Sequence, residues 1–132
     1  MKHEQVTSLI IKSFYKVYNT LGFGFLEKVY QNALYLELLS EGLLVHKQRQ
    51  INVFYHTQLV GEYYADLVVN EVVIVELKAH ECLLEEHDNQ LINYLKATEI
   101  EVGLLLNFGT KPEIRRKIFD NDKKKMLPAP LI

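Results

Sequence analysis

The sequence predicts an α/β domain with a mixed central sheet flanked by helices. Residues 3–21 and 25–40 repeat apolar side chains at helical spacing. Residues 43–77 read as three consecutive strands separated by short polar turns. A helical stretch over 86–98 then precedes an apolar run over 101–107, which a helical crossover would lay parallel to an earlier strand.

Composition fits one soluble domain spanning 1–132, with 48% apolar and 24% charged residues. The lone cysteine, Cys82, excludes an internal disulfide, has no partner at metal-ligand spacing, and fits a reducing cytoplasm. Met1-Lys2-His3-Glu4-Gln5 lacks the basic-then-apolar layout of a signal peptide. The apolar runs are too short to span a bilayer, so no membrane partner is expected. The net charge of −2 lacks the basic excess usual in DNA binders, although a basic face can exist on a mildly acidic protein. No P-loop, zinc spacing or serine-nucleophile motif competes for the function.

The first helix carries Val6, Leu9, Ile10, Phe14, Val17 and Leu21 as its core stripe, and Gly22-Phe23-Gly24 ends it. The second repeats Glu27, Tyr30, Leu34 and Leu38, with Gly42 as its stop. Glu27 either serves the positive end of the helix dipole or faces inward as a site carboxylate. The strand over 43–55 begins with Lys47 and Arg49, which suit a solvated strand end or a phosphate backbone. His56-Thr57-Gln58 turns the chain into a strand over 59–69, where Gly61 suggests a bulge. Leu91, Ile92 and Leu95 are the expected buried side of the later helix. On that helix Gln90 and Tyr94 stack four residues apart, as a polar flank or as site residues. Residues 112–119 fit an edge strand or a short helix. Lys123-Lys124-Lys125 reads as a solvated run, and Pro128 and Pro130 mark a frayed end.

The chain is organised around Tyr63–Ala79. Two strands fold back on each other around Asn70-Glu71, which brings Asp66 opposite or next to Glu76. Side chains alternate, so Ile74, Glu76 and Lys78 share one face and Val73, Val75 and Leu77 the other. Asp66 and Glu76 could instead point to water, with Lys78 pairing one of them. Two close carboxylates repel unless a cation lies between them. Two hard oxygen ligands beside a lysine suggest a magnesium-type site acting on phosphate.

These pieces, taken in order, resemble the PD-(D/E)XK nuclease superfamily and, more closely, the small GxxExxY proteins. The motif stands as Gly24-Phe-Leu-Glu27-Lys-Val-Tyr30, followed by Gly61-Glu-Tyr-Tyr-Ala-Asp66, Val75-Glu76-Leu-Lys78-Ala79, Gln90-Leu-Ile-Asn-Tyr94 and Gly103-Leu-Leu-Leu-Asn-Phe-Gly109. Ala65 stands where the superfamily name has proline. The resemblance implies a restriction-endonuclease-like αβββαβ core. It implies Mg²⁺ or Mn²⁺ held by Asp66, Glu76 and Glu27, with Lys78 orienting water or stabilising phosphorane charge. Gln90 and Tyr94 would position the substrate or the lysine. The expected activity is metal-dependent hydrolysis of DNA phosphodiesters. The alternative is a catalytically silent module that binds nucleic acid or protein. A homodimer would suit a two-stranded target, though no residue demonstrates one.

Overall fold

A computed structural model of the chain describes residues 1–125 and 127. Helices α1 (Glu4–Leu21) and α2 (Glu27–Ser40) precede strands β1 (Val45–Tyr55), β2 (Gln58–Val69) and β3 (Val73–Lys78). Helix α3 (Glu85–Lys96) and strands β4 (Val102–Phe108) and β5 (Pro112–Ile118) follow. The five strands form one sheet in chain order. Only β3 and β4 run parallel, joined through α3, and the other neighbours are antiparallel. The mixed sheet flanked by helices is therefore present, and residues 112–118 form an edge strand rather than a helix. Pro128 and Pro130 lie outside the described residues.

Both faces of the central strands are buried, which is why β3 and β4 are nearly continuous apolar runs. On one face, Ile10 and Phe14 of α1 and Tyr30, Leu34 and Leu38 of α2 pack on Val73, Val75, Leu77, Leu104 and Leu106. On the other, Leu91, Tyr94 and Leu95 of α3 pack on Ile74 and Leu105. The alternation expected along β3 is the one observed. The buried side of α3 comprises His87, Leu91, Tyr94 and Leu95. Ile92 is only half-buried, because steps of four, three and one from His87 define a face that passes beside it.

The β1–β2 hairpin is longer than the sheet it joins. Its ladder runs from Val45↔Val69 to Tyr55↔Gln58, whereas β2 pairs with β3 only from Leu67 to Val69. Its outer part is a two-stranded arm. Val53 pairs with Gly61 and Phe54 with Leu59, so the extra residue of the bulge is Val60, beside the expected Gly61. Asn70 and Glu71 both adopt positive φ in the turn to β3, and the Leu44 N–H donates to the Asn70 side-chain oxygen at 2.8 Å. Among the described residues no helix is long and apolar enough to cross a membrane.

Candidate active site

The β2–β3 ladder stops at Leu67↔Val75. One step further, Asp66 meets Glu76, and side chains replace the backbone ladder. The Asp66 N–H donates to Glu76 Oε2 at 3.1 Å, and the Leu77 N–H donates to Asp66 Oδ2 at 2.8 Å. The strands part here, and the carboxylates satisfy the backbone groups that parting would orphan. Glu76 is only 3% exposed. Burial pushes its carboxyl well above the ordinary range, the charge of Asp66 adds to the shift, and nearby Lys78 opposes it.

Lys78 pairs with neither acid. Its Nζ donates to Gln90 Oε1 at 2.9 Å, and Gln90 Nε2 donates to the Tyr94 hydroxyl oxygen at 3.1 Å. The four-residue helical step that stacks Gln90 on Tyr94 thus places an amide between the amine and the phenol. Tyr94 is buried rather than part of a polar flank. Burial, then the charge of Glu76, raises its hydroxyl above the usual phenol range. Asp66, Glu76, Lys78, Gln90 and Tyr94 therefore converge where β2 and β3 part beneath α3.

Glu27 stands apart from this group. It is the first residue of α2, where an acid suits the helix dipole. Its side chain is 46% exposed and lies 3.7 Å from His80 Nε2. Among the described residues no three Asp, Glu, His or Cys side chains gather closely enough to hold a metal. Three carboxylates do not meet in the geometry expected of Glu27, Asp66 and Glu76. The tyrosine of the same motif is structural. Tyr30 is fully buried, donates to the Gly22 carbonyl at 2.6 Å, and stacks on Phe108 at 4.2 Å.

Two residues beside the candidate site, Gln48 and Gln31, escape a reading of the sequence. Gln48 Nε2 donates to Gln31 Oε1 at 2.7 Å and to Asp66 Oδ1 at 3.3 Å. Gln31 lies one helical turn after Glu27, and that spacing was the available signal. His87 is also buried, and its Nδ1 accepts the Leu84 N–H at 3.0 Å. That nitrogen caps α3 and is closed to a metal; burial, then Lys78, lowers the basicity of the ring. The cations of β1 are committed elsewhere: Arg49 grips both oxygens of Glu71, and the Lys47 ammonium sits 4.4 Å from the Tyr35 ring centre. Lys124 donates to the carbonyls of Thr98 and Ile100, so one member of the lysine run is a structural tie.

A family model described as the PD-(D/E)XK nuclease superfamily matches residues 4–117. The chain belongs to that superfamily. No curated protein and no solved structure matches it. In this PD-(D/E)XK chain the residues expected from the sequence to carry the named letters, Asp66 and Glu76-Leu77-Lys78, lie at the parted end of β2 and β3. The donor set fits the divalent cation typical of the superfamily. A buried carboxyl that resists ionisation beside a second acid is relieved by a dication, and carboxylate oxygens suit Mg²⁺.

Proposed function

We propose that this chain is a metal-dependent, nuclease-like enzyme that hydrolyses phosphodiester bonds in DNA, and that it falls in the GxxExxY branch through Gly24, Glu27 and Tyr30. The observation that carries the reading is the buried Glu76 crossed with Asp66 beside the Lys78–Gln90–Tyr94 chain. Asp66 and Glu76 would hold Mg²⁺ or Mn²⁺. Mg²⁺ keeps several of its waters, so Glu27 can contribute without direct contact. The cation would supply Lewis acidity at a phosphate oxygen and make water more acidic.

The protein's own part is to place a donor and keep it there. Gln90 has one acceptor end and one donor end, and Tyr94 takes the donor end. The acceptor end therefore faces Lys78 and takes one of the three ammonium hydrogens. The remaining two are available for the attacking water or a non-bridging oxygen. A donor fixed before charge develops costs little reorganisation in the transition state.

The net charge of −2 favours a second reading, a catalytically silent binding module. One experiment separates them. Purified protein is incubated with duplex, single-stranded and branched DNA in Mg²⁺ or Mn²⁺, alongside Glu76→Ala and Lys78→Ala. Cutting that requires the cation and disappears in both variants is the expected result. Cation-independent binding without cutting would establish the silent module, and undiminished cutting by both variants would remove the site.

A further inference from the structure

Among the described residues, five non-glycine residues have positive φ, and four of them lie outside the strands: His3 before α1, His56 in the hairpin turn, and Asn70 and Glu71 in the next turn. The fifth, Gln48, lies inside β1 with φ 52°. A left-handed glutamine is disfavoured and persists only where its surroundings impose it. The ladder records the distortion. Lys47 pairs with Leu67 and Arg49 with Ala65, and Gln48 and Asp66 between them do not pair.

The same twist sends the Gln48 carboxamide to two partners. One is Gln31 Oε1 at 2.7 Å, on a side chain that is itself 5% exposed; the other is Asp66 Oδ1 at 3.3 Å. Asp66 Oδ2 already takes the Leu77 N–H. Asp66 is thus held through one oxygen by β3 and through the other by β1, with α2 anchoring the second hold through Gln31. Hydrophobic packing gives no reason for a strained, exposed glutamine here. Outer hydrogen bonds that orient a metal-binding carboxylate are such a reason.

We propose that Gln48, anchored by Gln31, is a positioning residue for the metal centre: its strained backbone aims a carboxamide that fixes the outer oxygen of Asp66. The inference rests on the metal-dependent reading above, and its failure is distinguishable from failure of that reading. Glycine accommodates positive φ, so Gln48→Gly relieves the backbone strain, deletes the carboxamide and leaves the buried Gln31 oxygen without its donor.

The test measures Mn²⁺ affinity by titration calorimetry and thermal stability in chelator. The proteins are wild type, Gln48→Gly, Gln31→Leu and the double variant. Expected are wild-type binding and affinity lower by about ten- to a hundredfold in Gln48→Gly, with a cooperative melt retained in chelator. Gln31→Leu should weaken binding in the same direction. The double variant should be no weaker than Gln48→Gly alone, because both substitutions break one bridge. Unchanged affinity in Gln48→Gly, with wild type binding normally, overturns the positioning role alone. No binding by wild type overturns the metal reading and the positioning role together.

Discussion

Glu76 occupies a place where an ionised carboxylate is poorly solvated, and the protein keeps it there. Its Oε2 accepts the Asp66 N–H, a bond that a glutamine oxygen can also accept. Glu76→Gln should therefore preserve the brace while removing a carboxyl whose ionisation burial and Asp66 both oppose. In chelator above neutral pH the variant should melt higher than wild type, by about 2–8 °C for each kcal/mol regained. It should also lose Mn²⁺ binding. A lower melting point together with retained binding would show that the carboxylate is ordinary. Tyr94 gives the complementary case. Tyr94→Phe frees the donor end of Gln90 and with it the orientation of the end that faces Lys78. Turnover number should fall about tenfold with KM little changed, and stability should fall by about 1 kcal/mol. A change confined to KM would place Tyr94 in substrate binding instead.

Helix α3 can position Gln90 and Tyr94 only because it lies close to β4, and Gly103 permits that approach. A Cβ there would stand 2.7 Å from Leu91 Cδ1 and 3.0 Å from Leu91 Cγ, on a fully buried side chain. Gly103→Ala should cost about 1–3 kcal/mol in urea unfolding and lift the helix from the site. Leu91→Ala made in the same chain should recover part of that loss, whereas simple addition of the two losses would exclude the contact. At the opposite end of β4, Asn107 is fully buried, accepts the His80 N–H and donates to the His80 carbonyl, which pins the loop after β3. The sequence made part of this visible. Alternation along β3 separates Ile74 from Val73, Val75 and Leu77, and the hairpin register sets Asp66 beside Glu76. These are local periodicities, fixed by the pleat. What stayed hidden depends on contacts between distant segments. The left-handed Gln48 is imposed on a residue type that does not favour that conformation. Arg49 is neutralised by a turn residue brought across the β1–β2 ladder. Glu27 turns to His80 because α2 begins at that glutamate, a boundary that periodicity places only approximately.

At the scale of the whole molecule, the proposed metal site would couple metal, proton and stability. Glu76 holds its proton well above the ordinary value near 4.5. Between the two values the folded chain carries a proton that the unfolded chain has released, so rising pH there favours unfolding. His87 works in the opposite sense. Its lowered basicity means that the unfolded chain takes up a proton first as pH falls below about 6.5, so acid costs stability. Comparison with Glu76→Gln separates the two, because only the glutamate contribution disappears in that variant. A divalent cation held by Glu76 would favour the carboxylate and displace its proton, so its affinity should climb with pH until Glu76 is ionised without help. Melting curves between about pH 5 and 8, in chelator and in saturating Mg²⁺, should therefore diverge as pH rises. At a hundred times the dissociation constant the cation adds about 2.7 kcal/mol. Glu76→Gln should show neither the divergence nor the proton release that calorimetry in two buffers would register for wild type. Parallel wild-type curves across that range would mean that the cation binds without displacing a proton, which would count against Glu76 as a ligand.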